Sequence, residues 1–215
     1  GMSLSNQTVA ENAAGAVIGT LTLLAAGFGG PPQYSVADNR FEVVSNQLKL
    51  KAGVSLDFEQ ASSLVVAVTA QDSTNASTTV TANFTITVTN VNEAPTAIAL
   101  SASTVAENAA GAVIGALTVT DPESGDSHTF TVSDARFEVV GGNLKLRDGE
   151  SLDFEQGATV SLQVTARDAT TPSLSVTASF TLNVTNVNEA PTNINLSATS
   201  VPEQTDGATV GTLTV

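Results

Sequence analysis

From Val80 to Thr89 the chain reads Val-Thr-Ala-Asn-Phe-Thr-Ile-Thr-Val-Thr, so Val80, Ala82, Phe84, Ile86 and Val88 share one side of an extended backbone. Thr and Asn fill the other side. A period of two with one apolar and one hydroxyl-rich face predicts a half-buried β-strand with its second face in water. Further strands are expected at 17–23, 41–44, 47–51 and 64–70, separated by Gly, Asn, Asp and Ser turn signals. No stretch shows the period of an amphipathic helix. Seven or so short strands in about 96 residues predict an antiparallel sandwich of immunoglobulin-like size.

The pattern occurs more than once. Val9–Gly19 recurs unchanged at Val105–Gly115, an offset of 96 residues. Phe41-Glu-Val-Val44 recurs at Phe137, Ser55–Gln60 at Ser151, and Asn90–Thr96 at Asn186, all at the same offset. Such self-similarity is the signature of a repeat architecture. A third copy begins after Thr192, where Val201-Pro-Glu-Gln parallels Val105-Ala-Glu-Asn. The expected organisation is repeat 1 over 1–95, repeat 2 over 96–191, and the first strands of a third over 192–215.

Composition narrows the function. Seven Lys and Arg stand against 21 Asp and Glu, a net charge of −14, so a phosphate-binding footprint is missing and no nucleic-acid partner is expected. No apolar run reaches the roughly 18 residues of a membrane span, so no membrane insertion is expected. The start carries no basic segment followed by an apolar stretch, and no secretory signal is expected in it. Cysteine is absent, which excludes disulfides and thiolate chemistry. The aromatic residues are eight Phe and one Tyr, without Trp; Phe41, Phe58, Phe84, Phe137, Phe154 and Phe180 are expected in the cores.

The acids recur with the repeat. They are the Glu of Ala-Glu-Asn (Glu11, Glu107), the pair in Leu-Asp-Phe-Glu (Asp57 and Glu59, Asp153 and Glu155), and an Asp closing a strand (Asp72, Asp168). Asn-Val-Asn-Glu-Ala-Pro adds Asn92 and Glu93, then Asn188 and Glu189. Most sit at strand ends or in loops, where ligands for a hard cation are mounted. Calcium takes six to eight oxygens, and an Asp-x-Glu spacing sets two carboxylates on one side of an extended chain.

These motifs, in this order and in register, resemble the cadherin repeat, in particular the cadherin-like modules of large bacterial surface proteins. The resemblance covers both full repeats and the partial third. It implies an all-β chain of tandem immunoglobulin-like, antiparallel Greek-key β-sandwiches in an elongated array, with Ca²⁺ at the junctions. Carried over by position, the first junction would use Glu11, Asp57, Glu59, Asn92, Glu93, Asp121, Glu123 and Asp168. A second, incomplete junction would use Glu107, Asp153, Glu155, Asn188 and Glu189. Close carboxylates repel by on the order of 1–4 kcal/mol per pair at surface-like dielectric, and a bound ion would remove that repulsion and stiffen the array. The resemblance further implies an extracellular or cell-surface adhesin serving cell adhesion or biofilm formation. Its partners would be calcium ions, neighbouring repeats of the same protein, and self-association or cell-surface polysaccharide. The alternatives are a calcium-dependent polysaccharide-binding module or a non-catalytic spacer of an extracellular enzyme.

The chain departs from the family pattern in two places. The family linker reads Asp-x-Asn-Asp-Asn-x-Pro, whereas here Asn90 and Glu93 stand for the two Asp and one residue before Pro95 is missing. Repeat 1 has Ala25-Ala-Gly-Phe-Gly-Gly30 where repeat 2 has Asp121-Pro-Glu-Ser-Gly-Asp126, so Asp72 is expected to lack calcium partners. His128, the one histidine, replaces Pro32 and reads as an exposed strand residue. Paired acids also suit glycoside hydrolysis. A catalytic pair seldom recurs with its neighbours in every repeat, and one His without Cys gives repeat 1 no triad. No enzyme is expected.

Overall fold

The structure of the chain, a computed structural model, describes residues 1–204 and 206–215; Thr205, inside the expected third segment, lies outside the described residues. Among the described residues there is no helix. In repeat 1 the strands are β1 (Met2–Leu4), β2 (Thr8–Ala10), β3 (Val17–Leu23), β4 (Pro32–Val36), β5 (Phe41–Val44), β6 (Gln47–Leu50), β7 (Ser63–Asp72) and β8 (Thr79–Thr89). They form two four-stranded sheets, ordered β1-β3-β6-β5 and β2-β8-β7-β4. The alternation in β8 is realised as expected: Phe84, Ile86 and Val88 are buried and the intervening residues exposed. With Phe41, Leu48, Leu50, Val66 and Val68 they make the core between the sheets.

The opening segment changes sheets. β1 pairs antiparallel with β3, whereas β2 pairs parallel with β8. Asn6 secures the crossing by donating from Nδ2 to the Ile18 carbonyl at 2.8 Å and the Thr8 carbonyl at 2.9 Å. The partner backbone passes so close that a Cβ on Gly19 would lie 2.7 Å from the Asn6 carbonyl oxygen, and the β3–β6 register shifts there. Close approach, not conformational freedom, requires this glycine.

Repeat 2 supplies β9 (Ala97–Leu100), β10 (Thr104–Ala106), β11 (Val113–Thr120), β12 (His128–Val132), β13 (Phe137–Val140), β14 (Asn143–Leu146), β15 (Thr159–Asp168) and β16 (Ser175–Thr185). Its sheets run β9-β11-β14-β13 and β10-β16-β15-β12, the same order as in repeat 1. Phe137, Leu144, Leu146, Val164 and Leu182 occupy its core. Beyond it β17 (Asn195–Leu196) pairs with β18 (Leu213–Thr214) in the register that β1 and β3 show, Leu196 facing Leu213 as Leu4 faces Leu21. Strands β1, β2 and β4 were not singled out by periodicity. Two hold three residues each, and β4 opens with Pro32, which a strand at the edge of its sheet tolerates.

The chain divides into two compact units. One comprises Gly1–Thr96 with Thr120–His128 and Arg167–Ser175; the other comprises Ala97–Val119, Thr129–Ala166 and Val176–Val215. Every residue expected at the first junction falls in the first unit, and the second set falls wholly in the other.

Candidate metal centre

Glu11 follows β2, where its N–H joins the Thr89 carbonyl at 3.1 Å and carries the β2–β8 pairing one step further. The residue is 2% exposed. Oε2 accepts the Phe58 N–H at 2.8 Å and Oε1 the Val91 N–H at 2.7 Å, so one carboxylate ties the Asp57–Gln60 turn and the linker to the strand end. Glu59, on that turn, accepts from Asn90 Nδ2 at 3.2 Å. Glu93 accepts from Asn12 Nδ2 at 2.6 Å, and Asn12 itself has a left-handed backbone, φ 57°. The result is three carboxylates, of Glu11, Glu59 and Glu93, with oxygens all within 4.8 Å of one another. Partial desolvation and the charges of Glu11 and Glu93 raise the Glu59 carboxyl above its ordinary range.

In the same unit Asp121 directly follows β11. Its Oδ1 accepts the Glu123 N–H at 3.2 Å and its Oδ2 lies 2.7 Å from His128 Nε2. Glu123 Oε1 accepts the Glu93 N–H at 3.1 Å, while the buried Oε2 has no hydrogen-bond partner among the described residues. Burial, with Asp121 beside it, pushes the Glu123 carboxyl up. Asp168 ends β15. It accepts Asn92 Nδ2 at 2.6 Å and is held by Thr170 and Thr171, and these bonds, Asn92 first, keep it far below the usual carboxylate range. Asp57 is brought near by sequence but is not in the cluster. It is exposed and accepts the N–H of Gln60 at 2.9 Å, within its own turn.

In the second unit Glu107, Asp153 and Glu155 form a like cluster within 4.8 Å. Glu107 repeats the geometry of Glu11, accepting the Val187 N–H at 2.7 Å and the Phe154 N–H at 2.8 Å, and these two bonds lower its pKa. Asn186 donates to Glu155 at 3.0 Å and Asn108 to Glu189. Asn188 and Glu189 are exposed and stand outside that cluster. Asp72, at the end of β7, is satisfied differently. It accepts from the Gly29 and Gly30 N–H groups and from the N–H and hydroxyl of Thr74, which with Thr74 foremost bring its pKa to about 2.

The donor set suits a hard divalent cation. It is made of carboxylate oxygens, one of them buried without a partner, and among the described residues no Lys or Arg forms an ion pair with Glu11, Glu59, Glu93 or Glu123. Sequence reasoning gave no role to Asn12 and Asn108, which hold the linker Glu, and read Asn90 and Asn186 only as part of the linker motif, where they hold Glu59 and Glu155. Their recurrence in register was the available signal. It also placed His128 at the surface. In the structure its side chain is 9% exposed and lies against Asp121 at 2.7 Å.

No family model matches the chain. It is 30% identical over 171 residues to human protocadherin alpha-2, and equally to the chimpanzee (Pan troglodytes) protein, covering 75% of this chain and 17% of theirs. Among solved structures, human protocadherin-24 EC1-2 superposes with a TM-score of 0.64 at 15% identity, over 87% of this chain and 99% of that one. Mouse cadherin-23 EC22-24 gives 0.63 at 19% identity, over 91% and 69%. The fold is that of tandem cadherin repeats. The chain spans about 17% of the length of the curated relatives it matches. These relatives and solved structures are cadherins and protocadherins. Several matched structures are named as extracellular cadherin domains. Among the described residues no helix of this cadherin-like chain is long and apolar enough to cross a membrane.

Proposed function

We propose that this chain is a calcium-binding stretch of cadherin-like repeats, 1–95, 96–191 and a partial third over 192–215, from an extracellular or cell-surface adhesion protein. Calcium is held by Glu11, Asp57, Glu59, Asn92, Glu93, Asp121, Glu123 and Asp168, with Asp57 exchanging its bond to Gln60 for the ion. The observation that carries the reading is the convergence of Glu11, Glu59 and Glu93 without a cationic side chain, beside the unpartnered oxygen of Glu123. The ion supplies positive charge and oxygen coordination. The chain's own residues gather the ligands: Glu11 clamps the turn and the linker, Asn12 holds Glu93, and Asn92 grips Asp168. Binding stiffens the connection between repeats and so keeps adhesive surfaces at a fixed spacing. The second set, Glu107, Asp153, Glu155, Asn188 and Glu189, is a weaker site of the same kind. The setting in a bacterial adhesin or biofilm protein rests on the sequence resemblance.

Calorimetric titration of calcium into the wild type and Glu123→Gln tests this. The wild type should bind in the micromolar to millimolar range spanned by oxygen-ligand sites, and the variant at least tenfold more weakly. No heat and no rise in melting temperature with calcium would sink the proposal.

A further inference from the structure

One polar contact in the first unit belongs to repeat 2 alone. His128 opens β12 with its side chain 9% exposed, and Asp121, 5% exposed at the side chain, meets it at 2.7 Å through Nε2 and Oδ2. The other Asp121 oxygen takes the Glu123 N–H, and Glu123 Oε1 takes the Glu93 N–H. A chain of contacts thus runs from His128 through Asp121 and Glu123 to the linker, and it stops at the unpartnered Glu123 Oε2. Repeat 1 lacks both ends of the first contact together: Ala25 stands where Asp121 would, and Pro32 where His128 would. Asp121 has no other side-chain donor, since the remaining ion pairs among the described residues involve different acids. A carboxylate this deeply placed, with one oxygen unbonded, would swing to find a partner or admit water.

We propose that His128 is the positioning residue of the cation site, fixing the Asp121 carboxylate so that Asp121 and Glu123 meet the ion already arranged. The inference rests on the calcium reading above and adds to it a residue that touches no ion. The hydrogen bond needs only a proton on Nε2, which the Nε2–H tautomer of the neutral ring and the imidazolium both supply. Partners that orient metal ligands are commonly worth 10- to 100-fold in metal affinity.

The test uses the full chain and three variants: His128→Leu, which keeps volume and removes the donor, His128→Gln, which keeps a donor near Nε2, and Asp121→Ala. Calcium affinity is measured by calorimetry, and melting temperature is measured in EDTA. His128→Leu should bind 10- to 100-fold more weakly than wild type while His128→Gln stays within about threefold, with melting in EDTA similar for both. Equal affinity of His128→Leu and wild type, with Asp121→Ala impaired, would overturn the positioning role alone. Equal loss in His128→Leu and His128→Gln would overturn it too, because the donor would not matter. Absence of calcium binding by the wild type would overturn both this inference and the reading beneath it.

Discussion

Glu11 and Glu59 belong to one acidic cluster yet answer to different physics. Glu11 is buried and satisfies two backbone N–H groups, whereas Glu59 is exposed and held only by Asn90. Glu11→Ala leaves both N–H groups unpaired, and a buried unpaired donor costs about 1–3 kcal/mol. We expect urea unfolding in EDTA to show Glu11→Ala destabilised by at least about 2 kcal/mol, and Glu59→Gln unchanged or slightly stabilised, since it removes repulsion. Asp72 gives a pH signature. Its pKa falls from 3.8 to about 2 on folding. Its contribution is therefore complete above the unfolded value and is lost as pH falls through about 2. Melting temperature should drop across that window, with Asp168 acting in the same direction, and Asp72→Asn should flatten the dependence.

At the scale of strands, the two faces of one element predict opposite sensitivities. Val65 in β7 is 63% exposed, while its neighbour Val66 is fully buried. Val65→Thr should shift stability by less than about 0.5 kcal/mol. Leu48→Ala, at a fully buried position of β6, should cost about 2–5 kcal/mol, read from denaturant midpoints. Gly19→Ala forces a Cβ to 2.7 Å from backbone, and Gly115→Ala to 2.8 Å; each should cost about 1–3 kcal/mol, the range for overpacked sites. The third segment repeats this close approach at Gly211, and the Ser197 hydroxyl accepts the Thr212 N–H as Ser5 and Ser101 accept those of Thr20 and Ala116 in the complete repeats. Its two strands pair in the same register as β1 and β3. Its apolar residues nevertheless stay exposed, Leu196 at 41% and Leu213 at 66%, where Leu4 and Leu21 of repeat 1 are at 8% and 3%.

For the chain as a whole, a net charge of −14 with two three-carboxylate clusters predicts that stability rises with cations. Sodium chloride in EDTA should raise the melting temperature modestly by screening. Calcium should raise it further at far lower concentration. Free calcium at a hundredfold the dissociation constant stabilises by about 2.7 kcal/mol per ion, detectable by calorimetry. A chain shortened to remove 193–215 should keep the calcium response, since every residue of the first set lies elsewhere. If the response vanished, the placement of the site in the first unit would be wrong.

Alternation and the 96-residue duplication made the longer strands, the β-sandwich class and the repetition legible, because burial of one face every second residue is a local property that any β-sandwich must honour. The three-residue β1 and β2 and the Pro-led β4 were too short or irregular to show it. The recurring acids were legible for the same reason: motifs fixed in register keep their places at strand ends. What pattern alone left open was which carboxylates meet. Asp57 and Glu59 stand two residues apart, yet only Glu59 joins Glu11 and Glu93, whereas the equivalent Asp153, which accepts the same kind of turn N–H, does join Glu107 and Glu155. Asp72 and Asp168 are equivalent in sequence. One is gripped by a glycine loop and the other by Asn92, 76 residues away. His128 carried no periodic signal, and only the structure shows its side chain against the Asp121 carboxylate. Strand period sets the faces, whereas hydrogen-bond partners brought from distant segments decide where each charge comes to rest.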